Sequence, residues 1–223
     1  MSHQIPKTQT AAVVVSHDAP IQIRKDYPVK QPEELAPGEC LVKLHCTGVC
    51  HTDLHARKGD WPLPSKLPLI GGHEGVGDVV AIGAHTVDSP VKIGDRVGIK
   101  WLADSCLQCE QCRKGLEQCP WYPPPVRTPN VTLNGFFAGC ANCKLSGYTV
   151  DGTFSEYVVS LPHFLTVRYV EGEQVSYVHH VTPIPKGLSS EEAASFLCAV
   201  GTSPFDQDGN LKCTLRELQF IVR

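Results

Sequence analysis

Apolar and polar positions alternate over "ECLVKLHCTGV" at 39–49 after Glu39, which predicts a β-strand with one buried face. Shorter runs at 11–15 ("AAVVV"), 77–83 ("GDVVAIG"), 95–100 ("DRVGIK") and 152–159 ("GTFSEYVV") predict further strands. Gly and Pro punctuate them in "APGE", "GGHEGVG" and "VKIGDRVG", at the short intervals of an all-β, barrel-like unit. Helical signals are few. "HTDLHAR" reads as a short helix after the 39–49 strand, and "SSEEAASFLCA" opens with a capping box from Ser189 to Glu192. The expected fold is mainly β, with a few short helices and no internal repeat.

Composition sharpens this in one respect. A chain of 223 residues suffices for one large domain or two small ones. A net charge of -3 and a pI near 6.3 offer no footing for nucleic acid or an anionic membrane surface. "MSHQIPKTQT" has no apolar leader segment and no run reaches membrane-spanning length, so a cytoplasmic location is expected. Eleven cysteines then point to metal more than to disulfides, and the odd number leaves a thiol over under any pairing scheme.

Cys106, Cys109 and Cys112 form a C-x2-C-x2-C run. Three thiolates so spaced can converge on one tetrahedral ion, each about 2.3 Å from it, and the run asks for a fourth ligand. Cys119, Cys140 and Cys143 are available. A closed four-sulfur site has no vacancy for substrate, so its role is structural and its binding energy is folding energy.

A second concentration of chemistry lies in "GVCHTDLHARKGDWP" at 48–62 and "GGHEGVG" at 71–77. The first packs Cys50, His51, Thr52, Asp53 and His55 into six residues; the second presents His73 and Glu74 among glycines. A lone strand cysteine is ordinarily a small core residue, and Cys40 and Cys46 are read that way. A lone histidine beside glycine is ordinarily a turn residue. Thiolate and imidazole together suit a zinc site that keeps an open position. "GGHEGVG" is no dinucleotide fingerprint, because its glycines are out of register with G-x-G-x-x-G and it precedes a strand.

"GVCHTDLHARKGDWPLPSKLPLIGGHEGVGDVVAIG" and "KIGDRVGIKWLADSCLQCEQC" resemble the zinc-dependent medium-chain alcohol dehydrogenases, in particular the tetrameric enzymes of yeasts and other fungi. The likeness runs from about residue 10 to 118 and resumes at 140–158 and 175–199. It implies a GroES-like catalytic domain, a twisted and partly open β-barrel, over 1–199. It also implies an NAD-dependent oxidation of primary alcohols to aldehydes, and homo-oligomers as in other family members. Residue by residue, the resemblance assigns the catalytic zinc to Cys50, His73 and Cys198. Glu74 would lie beside the metal, and Asp53 would accept the second N–H of His73. Thr52 would take the alcohol proton and His55 would pass it toward solvent. His51 would meet the cofactor pyrophosphate. Trp61 and Trp101 would narrow the pocket toward small alcohols such as ethanol, or serve as ordinary core residues.

The resemblance also addresses the fourth structural sulfur. The family places seven residues between its third and fourth cysteines, whereas six separate Cys112 from Cys119. Removing 120–139 brings Cys140 into register ahead of "ANCKLSGYT", so Cys140 is expected and Cys119 is the alternative. Removing 159–174 restores register a second time. The edges of both stretches can be encoded as intron boundaries, so they are read as translated introns. The tail 200–223 departs from the family, and no G-x-G-x-x-G occurs in the chain. The Rossmann cofactor domain is therefore expected to be missing, the chain truncated, and these residues inactive alone. Other readings are a non-catalytic zinc-binding β-domain and a polyol or aromatic-alcohol dehydrogenase relative.

Overall fold

A computed structural model describes residues 4–61, 63–113, 140–161, 181–184, 187–202 and 220–222. In chain order the elements begin with β1 (Thr8–Val14), β2 (Gln22–Pro28), a single 3-10 turn (Pro32–Glu34), β3 (Cys40–Val49) and α1 (His51–Lys58). β4 (Leu69–Ile70), β5 (Gly75–Ile82), β6 (Arg96–Ile99), β7 (Leu102–Asp104) and α2 (Glu110–Arg113) follow. The remaining elements are β8 (Lys144–Leu145), β9 (Tyr157–Ser160), β10 (Val181–Pro183), α3 (Ser190–Thr202) and β11 (Phe220–Val222).

β3 organises the larger sheet, whose order is β10-β6-β5-β3-β11, with β9 also paired to β3. β5 runs antiparallel to β3 from Cys40 to Thr47, β9 lies against Cys40–Lys43 on the other edge, and β11 against Thr47–Val49. The β3–β5 register breaks between Leu41 and Val42 and again between Leu44 and Cys46. Such bulges sharpen twist and bend a strand, which curls the sheet. Among the described residues it does not close into a barrel. A three-stranded sheet, β2-β1-β4, packs beside it, and β7 pairs with β8 alone.

β3 and β5 make the core: burial alternates along most of β5, whereas β3, expected to bury one face, buries both at Cys40–Val42 and Cys46–Gly48, because its two ends are covered on both sides. Cys40, Val42, Val79, Val97, Ile99 and Val158 form one cluster. Cys46 and Val76 meet Ala193, Ala194 and Leu197 of α3 in another. Cys40 and Cys46 therefore act as small core residues, and burial pushes the Cys40 thiol up to about 12. The α3 cap is reciprocal: the Ser189 N–H donates to Glu192 Oε2 at 3.0 Å and the Glu192 N–H to Ser189 Oγ at 3.2 Å.

Two further elements differ from the pattern-based expectation. β2, "QIRKDYP", is exposed at nearly every position on a sheet edge, so no alternation of burial marks it. The strand expected over 152–159 begins only at Tyr157. Residues 152–154 instead bond to the backbone of Ile70, Gly71 and Gly72. The approach is so close that a Cβ on Gly152 would fall 1.9 Å from Gly72 O. The stretch expected as an insertion at 159–174 begins within β9, with Val159 and Ser160 opposite Leu41 and Cys40. Cys119, residues 120–139 and most of the tail lie outside the described residues.

α1 is pinned at both ends. Its C-cap, Gly59, has φ 62°, and its N–H donates to His55 O at 2.9 Å. His17 packs where a Cβ on Gly59 would sit, with Nε2 2.5 Å away, and its Nδ1 lies 3.0 Å from Arg57 O. Gly59→Ala therefore meets both a left-handed backbone and a collision. A loss of roughly 2 kcal/mol is expected, about 1–2 of it from the backbone alone. Urea unfolding of the two proteins measures it; equal midpoints would refute the packing argument.

Candidate metal centres

The cysteine run folds as a bend at 107–109 leading into α2. Cys109 Sγ lies 3.4 Å and Cys106 Sγ 3.9 Å from Cys112 Sγ. Cys140 completes the group, and all four sulfurs lie within 4.8 Å of one another. Four ligands about 2.3 Å from a tetrahedral ion stand about 3.8 Å apart, so the cluster has the size of a zinc–sulfur site. Backbone N–H groups of Gln108 and Cys109 hold the Cys106 thiol down to about 6. Burial, then the three neighbouring sulfurs, push Cys112 up to about 12. Four thiolates need a cation to coexist here. Cys140 lies 34 residues from Cys106, whose N–H points at its sulfur at 3.4 Å. Lengthening the return loop from Cys119 to Cys140 costs only about 1 kcal/mol of closure entropy.

The second centre is built where β3 ends, α1 begins and the Gly71–Gly72 turn enters β5. Cys50 Sγ, one nitrogen of His73 and one Glu74 carboxylate oxygen lie within 4.8 Å of one another. Asp53, in the first turn of α1, ties the parts together. Its Oδ2 accepts the Cys50 N–H at 2.8 Å, and its Oδ1 accepts the Gly72 N–H at 3.2 Å and lies 3.1 Å from His73 Nδ1. A carboxylate only accepts, so Nδ1 donates and Nε2 is turned toward Cys50 and Glu74. His73 Nε2 is buried without a hydrogen-bond partner and stands 3.7 Å from Glu74 Oε1. Burial alone would lower the His73 pKa. Asp53, then Cys50 and the Glu74 charge, outweigh it and raise it to about 10. The pocket demands a cation, and its soft thiolate, imidazole and carboxylate fit zinc.

Gly48 has a part that no sequence signal showed. A Cβ there would fall 2.0 Å from Glu74 Oε2, so only glycine leaves room for that buried carboxylate. Cys198 lies on α3, which packs against β3, β5 and β6; its side chain lies outside the described residues.

The remaining site residues line α1 and an aromatic wall. Thr52 occupies the first turn of α1. His51 stacks on His55 with centroids 4.9 Å apart, and His55 stacks on Trp61 at 5.3 Å. Trp61 meets Trp101 edge-on at 6.0 Å, and Trp101 meets the ring of His73 at 5.1 Å. Tyr148 completes the wall, 5.6 Å from Trp61 and 5.9 Å from Trp101, and its hydroxyl donates to Leu63 O. Tyr148 is wholly buried yet distant in sequence from both tryptophans, so only the fold reveals it.

A mainly β domain with two cation-demanding clusters, one closed and one opening on aromatic rings, defines the class. The chain belongs to the alcohol dehydrogenase GroES-like domain family, whose pattern matches residues 36–168, more than half of its length. It is 41% identical over 196 residues to the alcohol dehydrogenase of Schizosaccharomyces pombe, covering 87% of this chain and 44% of that protein. To alcohol dehydrogenase 1 of Neurospora crassa it is 40% identical over 196 residues, covering 88% of this chain and 44% of that one. A solved NAD-dependent alcohol dehydrogenase superposes with a TM-score of 0.60 at 28% identity, over 84% of this chain and 43% of its own. The chain thus spans less than half the length of the relatives it matches.

Proposed function

We propose that these residues are the catalytic domain of a zinc-dependent alcohol dehydrogenase that oxidises small primary alcohols to aldehydes, with NAD as hydride acceptor and a cytoplasmic location. The observation that carries this is the convergence of Cys50, His73 and Glu74 beside the Trp61–Trp101–Tyr148 wall. Cys50 and His73 would hold the catalytic zinc, with Cys198 joining them and Glu74 alongside. Cys106, Cys109, Cys112 and Cys140 would hold the structural ion. Zinc in the first site supplies Lewis-acid polarisation of an alcohol oxygen.

The chain's own residues do the rest. Asp53 fixes the His73 ring by holding Nδ1–H. Trp61 and Trp101 would narrow the site toward small alcohols. Thr52 Oγ1 would take the alcohol proton while giving up its own, and His55 Nε2 would pass that proton to solvent through the cofactor ribose, from a side chain that is 34% exposed. His51, stacked on His55, would meet the cofactor pyrophosphate. The sequence holds no G-x-G-x-x-G, so the reading assigns metal and proton handling to these residues and no phosphate-binding turn.

Cobalt substitution tests it on the 223-residue chain. Saturating ethanol is expected to shift the visible cobalt bands of the wild type, and the response should vanish in Cys50→Ala. A wild type that holds both ions but shows no spectral response to alcohol would refute the alcohol-binding role and favour a non-catalytic zinc domain.

A further inference from the structure

The imidazole of His55 is held by three side chains. His51 and Trp61 both stack on it, with interplanar angles of 22° and 23°. At its edge, Nδ1 lies 2.8 Å from Asp60 Oδ1. A carboxylate accepts only, so this contact requires the proton on Nδ1 and leaves Nε2 as the bare, basic nitrogen.

The contact depends on the way α1 ends. Were the helix to continue, a residue five positions on would lie about 140° round the axis from His55 and could not reach its ring edge. The left-handed conformation at Gly59, φ 62°, ends the helix first and returns Asp60 toward His55. His17, occupying the space beside Gly59, holds that turn in place.

We propose that Asp60 is a positioning residue: it selects the Nδ1–H tautomer of His55 and aims Nε2 as the proton-accepting atom. This rests on His55 being the outer member of the proton path proposed above. Two stacked rings alone fix the plane of an imidazole but permit either tautomer and a half-turn flip. The Asp60 carboxylate removes that freedom, so the side chain need not reorient before it takes each proton.

Long-range proton–nitrogen NMR of the 15N-labelled 223-residue chain, at a pH where imidazole is neutral, reads the tautomer without any turnover. His55 is assigned by its loss in His55→Gln. The wild type is expected to show Nδ1 protonated and Nε2 bare. Asp60→Ala should move the ratio roughly tenfold toward Nε2–H, and Asp60→Asn should restore Nδ1–H through its carboxamide oxygen. An Nε2–H wild type, or the same ratio in Asp60→Ala, would overturn the proposal. Because the measurement needs neither alcohol nor NAD, its failure is distinguishable from a failed cobalt–alcohol test of the function itself.

Discussion

Cys140→Ser is expected to lower bound zinc from two ions per chain to one and to loosen the lobe around β7 and β8. The four sulfurs lie within 4.8 Å of one another, yet their thiols range from about 6 at Cys106 to about 12 at Cys112. Without a cation they cannot all ionise; with one, they bind it as thiolates. The secondary structure of this lobe is slight, with three residues in β7, two in β8 and four in α2, although Leu102 and Leu145 are buried in a core cluster with Leu69 and Tyr148. Losing one thiolate should cost on the order of several kcal/mol, given about 10–16 kcal/mol for whole structural zinc sites. The readouts are metal content and amide exchange at Leu102–Asp104 and Lys144–Leu145. Cys119→Ser should leave both unchanged. If it removes the ion while Cys140→Ser retains it, the assignment is reversed.

Asp53→Ala should weaken the other zinc site roughly 10–100-fold while sparing the four-cysteine site. The substitution strips acceptors from two backbone N–H groups, Cys50 and Gly72, and from His73 Nδ1. Cys50 and His73 belong to different elements, and Asp53 is the side chain that ties both. Asp53→Asn keeps one acceptor oxygen and should fall between Ala and wild type. Competition with a chromophoric chelator gives the affinity. An unchanged constant in Asp53→Ala would mean that packing alone orients His73.

Much of this site was legible because its chemistry is locally concentrated. Cys50, His51, Thr52, Asp53 and His55 fall within six consecutive residues, and the C-x2-C-x2-C spacing is itself a ligand geometry. The strand over 77–83 was equally plain, since buried and half-buried positions alternate along it, whereas β3 formed over 39–49 as expected but buries both faces at Cys40–Val42 and Cys46–Gly48. β2 was not plain, because an exposed edge strand has no buried face to write into its sequence.

The amino-acid sequence by itself determined the donor types, the short strands that carry them and the cap that starts α3. Only the tertiary structure decided which groups meet. Asp53 and His73 are 20 residues apart, Tyr148 and Leu63 are 85 apart, and the sulfurs of Cys106 and Cys140 are separated by 34. Gly48 matters because a carboxylate from β5's entry turn occupies its missing side chain's place. Asp60 matters because a left-handed glycine returns the chain toward a histidine. Periodicity records burial over a few neighbouring residues; contacts across such separations arise only when sheet curvature and turn geometry bring remote backbones together.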